Sequence, residues 1–83
     1  PVTREQLTTI LYRYTAYKGE STTAFPGNLN RFKDAASVSN YAVDAANWAV
    51  GEGLVNGSGD LFMPKSNATR AQVAAIIHRY LAG

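Results

Sequence analysis

The sequence predicts a small all-α domain with three main helices, and three observations lead there. A sixteen-residue segment occurs twice, each copy opens on a helix-capping signal, and an alanine-rich stretch between them stops at a glycine. The repeat is read first, because it organises the rest. Val2-Thr3-Arg4-Glu5-Gln6-Leu7 returns as Ala68-Thr69-Arg70-Ala71-Gln72-Val73, and Ile10-Leu11, Arg13-Tyr14 and Ala16 return as Ile76-Ile77, Arg79-Tyr80 and Ala82. The offset is 66 residues throughout, and seven of the sixteen aligned positions are identical. A period of this size implies repeated supersecondary units, each needing a neighbour to cover its apolar face.

Thr3 and Thr69 stand as N-caps, with Gln6 and Gln72 three residues later, which is the capping-box spacing. Val2 with Leu7, and more weakly Ala68 with Val73, fit a hydrophobic staple across each cap. The apolar stripes are Leu7, Ile10, Leu11 and Tyr14 in the first helix and Val73, Ile76, Ile77 and Tyr80 in the last. Their i, i+3, i+4, i+7 spacing predicts one buried face on each helix.

The middle helix is expected from Tyr41 to Glu52, capped by Ser39 and stopped by Gly53. Its alanines allow close approach by another helix, and Trp48 supplies bulk as a core anchor or a sugar-stacking face. Residues 19–33, with Gly19, Pro26 and Gly27, read as an irregular connection. Phe32 is expected in the core. After the middle helix, Asn56-Gly57 and Gly59-Asp60 are turn signals, and Leu61-Phe62-Met63 leaves room for a very short hairpin before Pro64.

Composition sets the class. Of 83 residues, 46% are hydrophobic and 17% charged, which describes a globular chain with one small core. The absence of cysteine removes disulfides and thiolate metal sites. The net charge is +2, and no run of five basic residues marks a nucleic-acid arm. No apolar run approaches the roughly 18 residues of a membrane span. The chain opens on Pro1 directly before a helix signal and is expected to be cut from something longer.

Arg4 and Arg70 break the local rule. A cation just inside a helix N-terminus opposes the helix dipole, at roughly 0.3–1 kcal/mol where exposed. A guanidinium beside free N-terminal amides makes a receptor for a carboxylate or phosphate. The plainer alternatives are a carboxylate partner such as Asp34 or Asp44, or an arginine without a role.

These residues also carry a family resemblance. Phe32-Lys33-Asp34, Trp48-Ala49-Val50, Gly53-Leu54-Val55-Asn56-Gly57, Phe62-Met63-Pro64 and Thr69-Arg70-Ala71-Gln72 resemble one complete S-layer homology (SLH) repeat. On that resemblance residues 1–18 are the last helix of a preceding repeat, 19–31 a connector and 32–83 a complete repeat. The fold class is then an all-α domain of SLH repeats. The resemblance implies an extracellular module, associated with the bacterial cell wall or S-layer, that binds secondary cell-wall polysaccharide through a pyruvylated sugar. Carried over, the anion contact falls to Arg70 and Arg4, with Trp48, Asn56 and Gly57 as groove-wall candidates. Gln6 and Gln72 depart from the family's Thr-Arg-Ala-Glu signature, although the capping box accepts either residue. With about one and a half repeats, the chain is expected to pair its exposed helix faces, especially Leu7, Ile10, Leu11 and Tyr14, with neighbouring repeats or another copy. A structural, self-associating module without its own ligand is the alternative.

Other classes find little support. His78 is the single histidine, the six carboxylates form no pair placed for acid–base work, and no ligand set has metal spacing, so neither enzyme chemistry nor a cofactor is expected. The connections are too long for a helix-turn-helix, and the alanine-rich last helix offers few base-reading side chains. Gly57-Ser58-Gly59-Asp60 lacks the repeated acidic ligands of a calcium loop. Asn67-Ala68-Thr69 matches a glycosylation sequon but leads into the Thr69 cap.

Overall fold

Both predicted capping boxes are closed. In the computed structural model, which describes residues 2–23, 27–55 and 59–82, Gln6 N–H donates to Thr3 Oγ1 at 3.2 Å and Thr3 N–H donates to Gln6 Oε1 at 2.9 Å. Thr69 and Gln72 repeat the exchange at 3.1 and 2.9 Å. Helices α1 (Arg4–Tyr17) and α3 (Arg70–Ala82) run from these caps. Their N-termini lie side by side, joined by an isolated antiparallel bridge between Thr3 and Asn67 and by Ala68 N–H on Val2 O at 2.8 Å.

The middle helix starts later than the sequence suggests. Asn40–Ala42 form a 3-10 turn, and α2 runs Val43–Gly51. Ser39 makes no side-chain cap bond; its hydroxyl is turned to the Glu5 junction, donating to Glu5 Oε2 at 2.7 Å and accepting from Lys65 Nζ. The C-terminal stop is as expected. Gly53 adopts φ +73°, and Gly53 and Leu54 return their N–H groups to Val50 and Ala49 carbonyls, a Schellman motif that a residue with a Cβ enters only with strain.

The core gathers around α2. Ala42, Ala45, Ala46 and Ala49 are essentially inaccessible, which lets α1 approach closely through Leu7 and Leu11. Phe32 is buried and meets the Phe62 ring edge-on at 5.6 Å. The connection at 27–31 is irregular but anchored: Leu29 N–H donates to Asn47 Oδ1 at 2.9 Å and Asn28 Nδ2 to Asn47 O at 3.0 Å. Among the described residues there is no strand, so the architecture is all-α. The short hairpin considered near Asn56-Gly57 involves residues 56–58, outside the described residues.

The buried faces differ from the apolar stripes, and here the sequence expectation is corrected. On α1, Leu7 and Leu11 are buried within this chain and so are not free to pair with another copy, whereas Ile10 and Tyr14 are more than half exposed. The interior face of α1 also includes Arg4, Glu5, Thr8 and Thr15. Its threonines satisfy their hydroxyls on the helix's own carbonyls, Thr8 on Glu5 O and Thr15 on Leu11 O, so burial leaves no unpaired oxygen. On α3 the pattern is the reverse: Ile76 is buried while Ile77 is 39% exposed.

This orientation of α3 makes a sharp prediction from two adjacent isoleucines. Ile76→Ala is expected to cost about 2–4 kcal/mol and Ile77→Ala no more than about 1 kcal/mol. Urea unfolding followed by circular dichroism measures both, and equal costs would mean that the helix is rotated from the position described.

Candidate functional site

The two signature arginines occupy the same place in the repeat but different surroundings. Arg4 is buried at 7% exposure, and its Nε donates to Phe62 O at 2.8 Å with the guanidinium 5.8 Å from the Phe62 ring centre. From the other side, Asp34 accepts Phe62 N–H at 2.8 Å and Met63 N–H at 2.9 Å. The Phe62–Met63 backbone is thus gripped by a cation on its carbonyl and a carboxylate on its amides. Met63 sits at φ +59°, where a side chain costs roughly 1–2 kcal/mol, and the two bonds to Asp34 hold it there. Burial lowers the Arg4 pKa and the charge of Asp34 opposes that effect, while a guanidinium stays protonated throughout.

The helix amides beside Arg4 are not free. Arg4 N–H donates to Ser66 O at 2.9 Å, Glu5 N–H to Pro64 O at 3.1 Å, and Gln6 N–H to the Thr3 hydroxyl. An anion receptor built of Arg4 and open amides, as the sequence suggested, therefore finds those amides already bonded within the chain. The Asp34 alternative describes the local charge partner, and Asp44 is exposed.

Glu5 completes the junction. Its buried carboxylate accepts Ser39 N–H at 2.9 Å, Ser39 Oγ–H at 2.7 Å, Tyr41 O–H at 3.2 Å and Lys65 Nζ at 3.1 Å, and Lys65 also meets the Ser39 hydroxyl. Burial alone would raise its pKa. The Ser39 amide and hydroxyl together with Lys65 outweigh that, and the carboxyl lies below its ordinary range.

Arg70 stands in the open. It is exposed, and neither the Arg70 nor the Ala71 N–H has a partner among the described residues. At this helix start only the capping box is made, by Gln72 N–H on the Thr69 hydroxyl. Both residues of this helix start are exposed.

The groove-wall candidates fare differently. Trp48 is 2% exposed and edge-on to Tyr12 at 5.8 Å and Tyr80 at 6.3 Å, so it anchors the core and presents no open stacking face. Its Nε1 has no hydrogen-bond partner among the described residues. Asn56 and Gly57 lie outside the described residues. A groove of about 490 Å³ opens at the far ends of α1 and α3, bounded by Thr15, Lys18, Trp48, Glu52, Arg79 and Tyr80, with Tyr80 Oη 2.7 Å from Thr15 Oγ1. Sequence reasoning singled out neither this groove nor the Glu5 junction, because both join residues that are distant along the chain. His78 is exposed, and no cluster of metal-ligating side chains occurs among the described residues. No helix among them is long and apolar enough to cross a membrane.

Comparisons with known proteins give one family match and several relatives. Residues 31–74 match the family model of the S-layer homology domain. The chain is 40% identical over 85 aligned residues to an amylopullulanase of Thermoanaerobacterium thermosulfurigenes, covering 96% of this chain and 4% of that protein. It is 38% identical to exoglucanase XynX of Acetivibrio thermocellus and 35% identical to an endoglucanase of Bacillus sp. (strain KSM-635), covering 96% of this chain and 7% and 8% of those proteins. The chain thus spans less than a tenth of the length of these relatives. No solved structure gives a significant match.

The junction at Arg4 and Glu5 yields two expectations. Arg4→Ala leaves the buried Phe62 carbonyl unpaired and is expected to cost about 1–3 kcal/mol in denaturant unfolding. For Glu5 the folded pKa is depressed, so its contribution to stability is complete above the unfolded value near about 4.3 and is lost as pH falls through the lower folded value. Thermal unfolding from pH 6 down to about pH 2 should show a loss that Glu5→Gln largely removes, and identical pH profiles would refute it.

Proposed function

Because the chain belongs to the S-layer homology family, a family of non-catalytic modules that anchor extracellular proteins to the cell wall, we propose that it attaches its parent by binding an anionic secondary cell-wall polysaccharide at the N-terminus of α3. The ligand group is the carboxylate of a pyruvylated sugar. One observation carries this reading: the Arg70 guanidinium and the Arg70 and Ala71 amides form an exposed donor set with no partner among the described residues. Such a set receives a carboxylate through charge-assisted bonds and the helix dipole together. Arg70 is therefore the principal contact. Arg4 supports the site from within by fixing the 62–66 loop, whereas Trp48, packed against Tyr12 and Tyr80, is a core anchor away from it. Asn56 and Gly57 remain groove-wall candidates on the resemblance alone. In this reading residues 32–83 are one complete repeat, residues 19–31 a connector and residues 1–18 the last helix of the repeat before it.

Wall-anchoring modules are joined to different catalytic cargoes, and the three relatives are named as polysaccharide-degrading enzymes. A parent that degrades polysaccharide is accordingly proposed, its catalysis residing outside this module.

Isothermal calorimetry against purified pyruvylated cell-wall polysaccharide tests the binding site. Arg70→Ala, with an unchanged circular dichroism spectrum, is expected to weaken binding about tenfold or more, the loss of one charge-assisted contact. Equal affinity in the folded variant removes Arg70 from the site, and depyruvylated polymer binding as well as the native polymer removes the carboxylate.

A further inference from the structure

We propose that the groove at the far ends of the helices is a receptor for a primary ammonium group, with the Glu52 carboxylate as its ion-pair partner. The site is separate from the one at Arg70. Tyr80, on the groove wall, lies ten residues beyond Arg70, roughly 15 Å along the helix axis.

The groove is built from the last turn of each α-helix among the described residues. Thr15 and the C-cap Lys18 come from α1, the C-cap Glu52 from α2, and Arg79 and Tyr80 from α3. A helix C-terminus carries the negative pole of the helix dipole, so three such poles border one space of about 490 Å³. A cation is favoured there and an anion is not. The volume suits a body the size of a monosaccharide or an amino acid.

The chain's own charges leave this field unbalanced. Four charged side chains line the groove, two of each sign, so the helix ends set the net sign. Lys18 and Glu20 are paired with each other at 3.4 Å. Arg79 donates to Leu54 O at 3.1 Å. Glu52 is exposed, and its carboxylate has no partner among the described residues. It is the free acceptor.

Lys18 shows which kind of cation fits. Its ammonium lies 5.0 Å from the centre of the Tyr14 ring and 5.4 Å from that of Tyr80, while pairing with Glu20. Aromatic faces combined with a carboxylate are a recurrent way of receiving an ammonium group. The Tyr80 hydroxyl, 2.7 Å from Thr15 Oγ1, holds its ring in place. Burial would lower the Lys18 pKa, but Tyr80 and Glu20 outweigh it and the pKa lies above its ordinary value. Lys18 is thus a resident occupant of half the site, on a flexible stem. An incoming amine pairs with Glu52 and competes with Lys18 for the rings. The ligand is a small polar molecule with an unacylated primary amine, either an amino sugar or a lysine-like side chain. Acylating that nitrogen removes the charge and the recognition with it.

Nuclear magnetic resonance titration of the ¹⁵N-labelled 83-residue chain tests this with methyl glucosaminide, methyl N-acetylglucosaminide and Nα-acetyl-lysine amide. Saturable shifts of the Glu20, Glu52 and Tyr80 amides are expected with the two amines and not with the acetylated sugar. The stronger of the two amines assigns the source, an amino sugar or a peptide side chain. Glu52→Gln, with an unchanged circular dichroism spectrum, should weaken amine binding about tenfold, the loss of one charge-assisted contact. Lys18→Met should strengthen it about threefold by vacating the rings. No saturable shift at these amides, an equal response to the acetylated sugar, undiminished affinity in Glu52→Gln, or no gain in Lys18→Met would each overturn the inference. None of the probes carries an anionic group, so these outcomes leave the polysaccharide reading to its own experiment.

Discussion

The structure depends on how the start of α1 is satisfied. A helix begins with amides that have no intrahelical acceptor, and burying them requires acceptors from elsewhere. Here the acceptors are the carbonyls of Pro64 and Ser66, and the Arg4 guanidinium takes the Phe62 carbonyl beside them. That one junction fixes the 62–66 loop, seats the Phe62 ring in the core against Phe32, and places Asn67 beside Thr3 so that α3 starts next to α1. Asp34 then holds the same loop by its amides. A segment without regular secondary structure is well determined because five of its backbone groups are bonded to Arg4, Glu5 and Asp34.

Glu5 does the complementary work on the other flank of α1. Its carboxylate collects donors from Ser39, Tyr41 and Lys65, tying the helix to the turn that leads into α2. The cost appears in α2 itself. The Ser39 hydroxyl, held between Glu5 and Lys65, makes no cap bond, and the chain makes a 3-10 turn before the α-helix begins. A tertiary bond has displaced a local one, which is why the helix start was misplaced from sequence. The burial of a carboxylate and a guanidinium in so small a core is tolerable because the carboxylate accepts four hydrogen bonds and the guanidinium is bonded to the Phe62 carbonyl within the field of Asp34.

The inequivalence of Arg4 and Arg70 follows from the same geometry. The same Thr-Arg-x-Gln signature yields one arginine embedded as a clamp and one left in solvent, because only the first has a 62–66 loop against it. A repeat signature read from one copy therefore mixes two roles. In this chain one copy is bonded to the Phe62 carbonyl and the other stands in solvent.

Sequence alone determined the local features. Both capping boxes, the Gly53 stop, the burial of Phe32, the all-α class and the 66-residue repeat were legible because each depends on residues within a few positions of one another or on plain self-similarity. What it could not determine was which side of a helix faces inward. The apolar stripe of α1 pointed to Leu7, Ile10, Leu11 and Tyr14, yet the interior face includes Thr8, Thr15, Arg4 and Glu5 and excludes Ile10 and Tyr14. Hydroxyls can be satisfied by their own helix, and charges by groups about 30 to 60 residues away. A polar letter in the sequence does not record whether such a partner exists. Only the tertiary structure, by bringing Phe62, Pro64, Ser66 and Ser39 to the start of α1, decided that one arginine is interior and its copy is not.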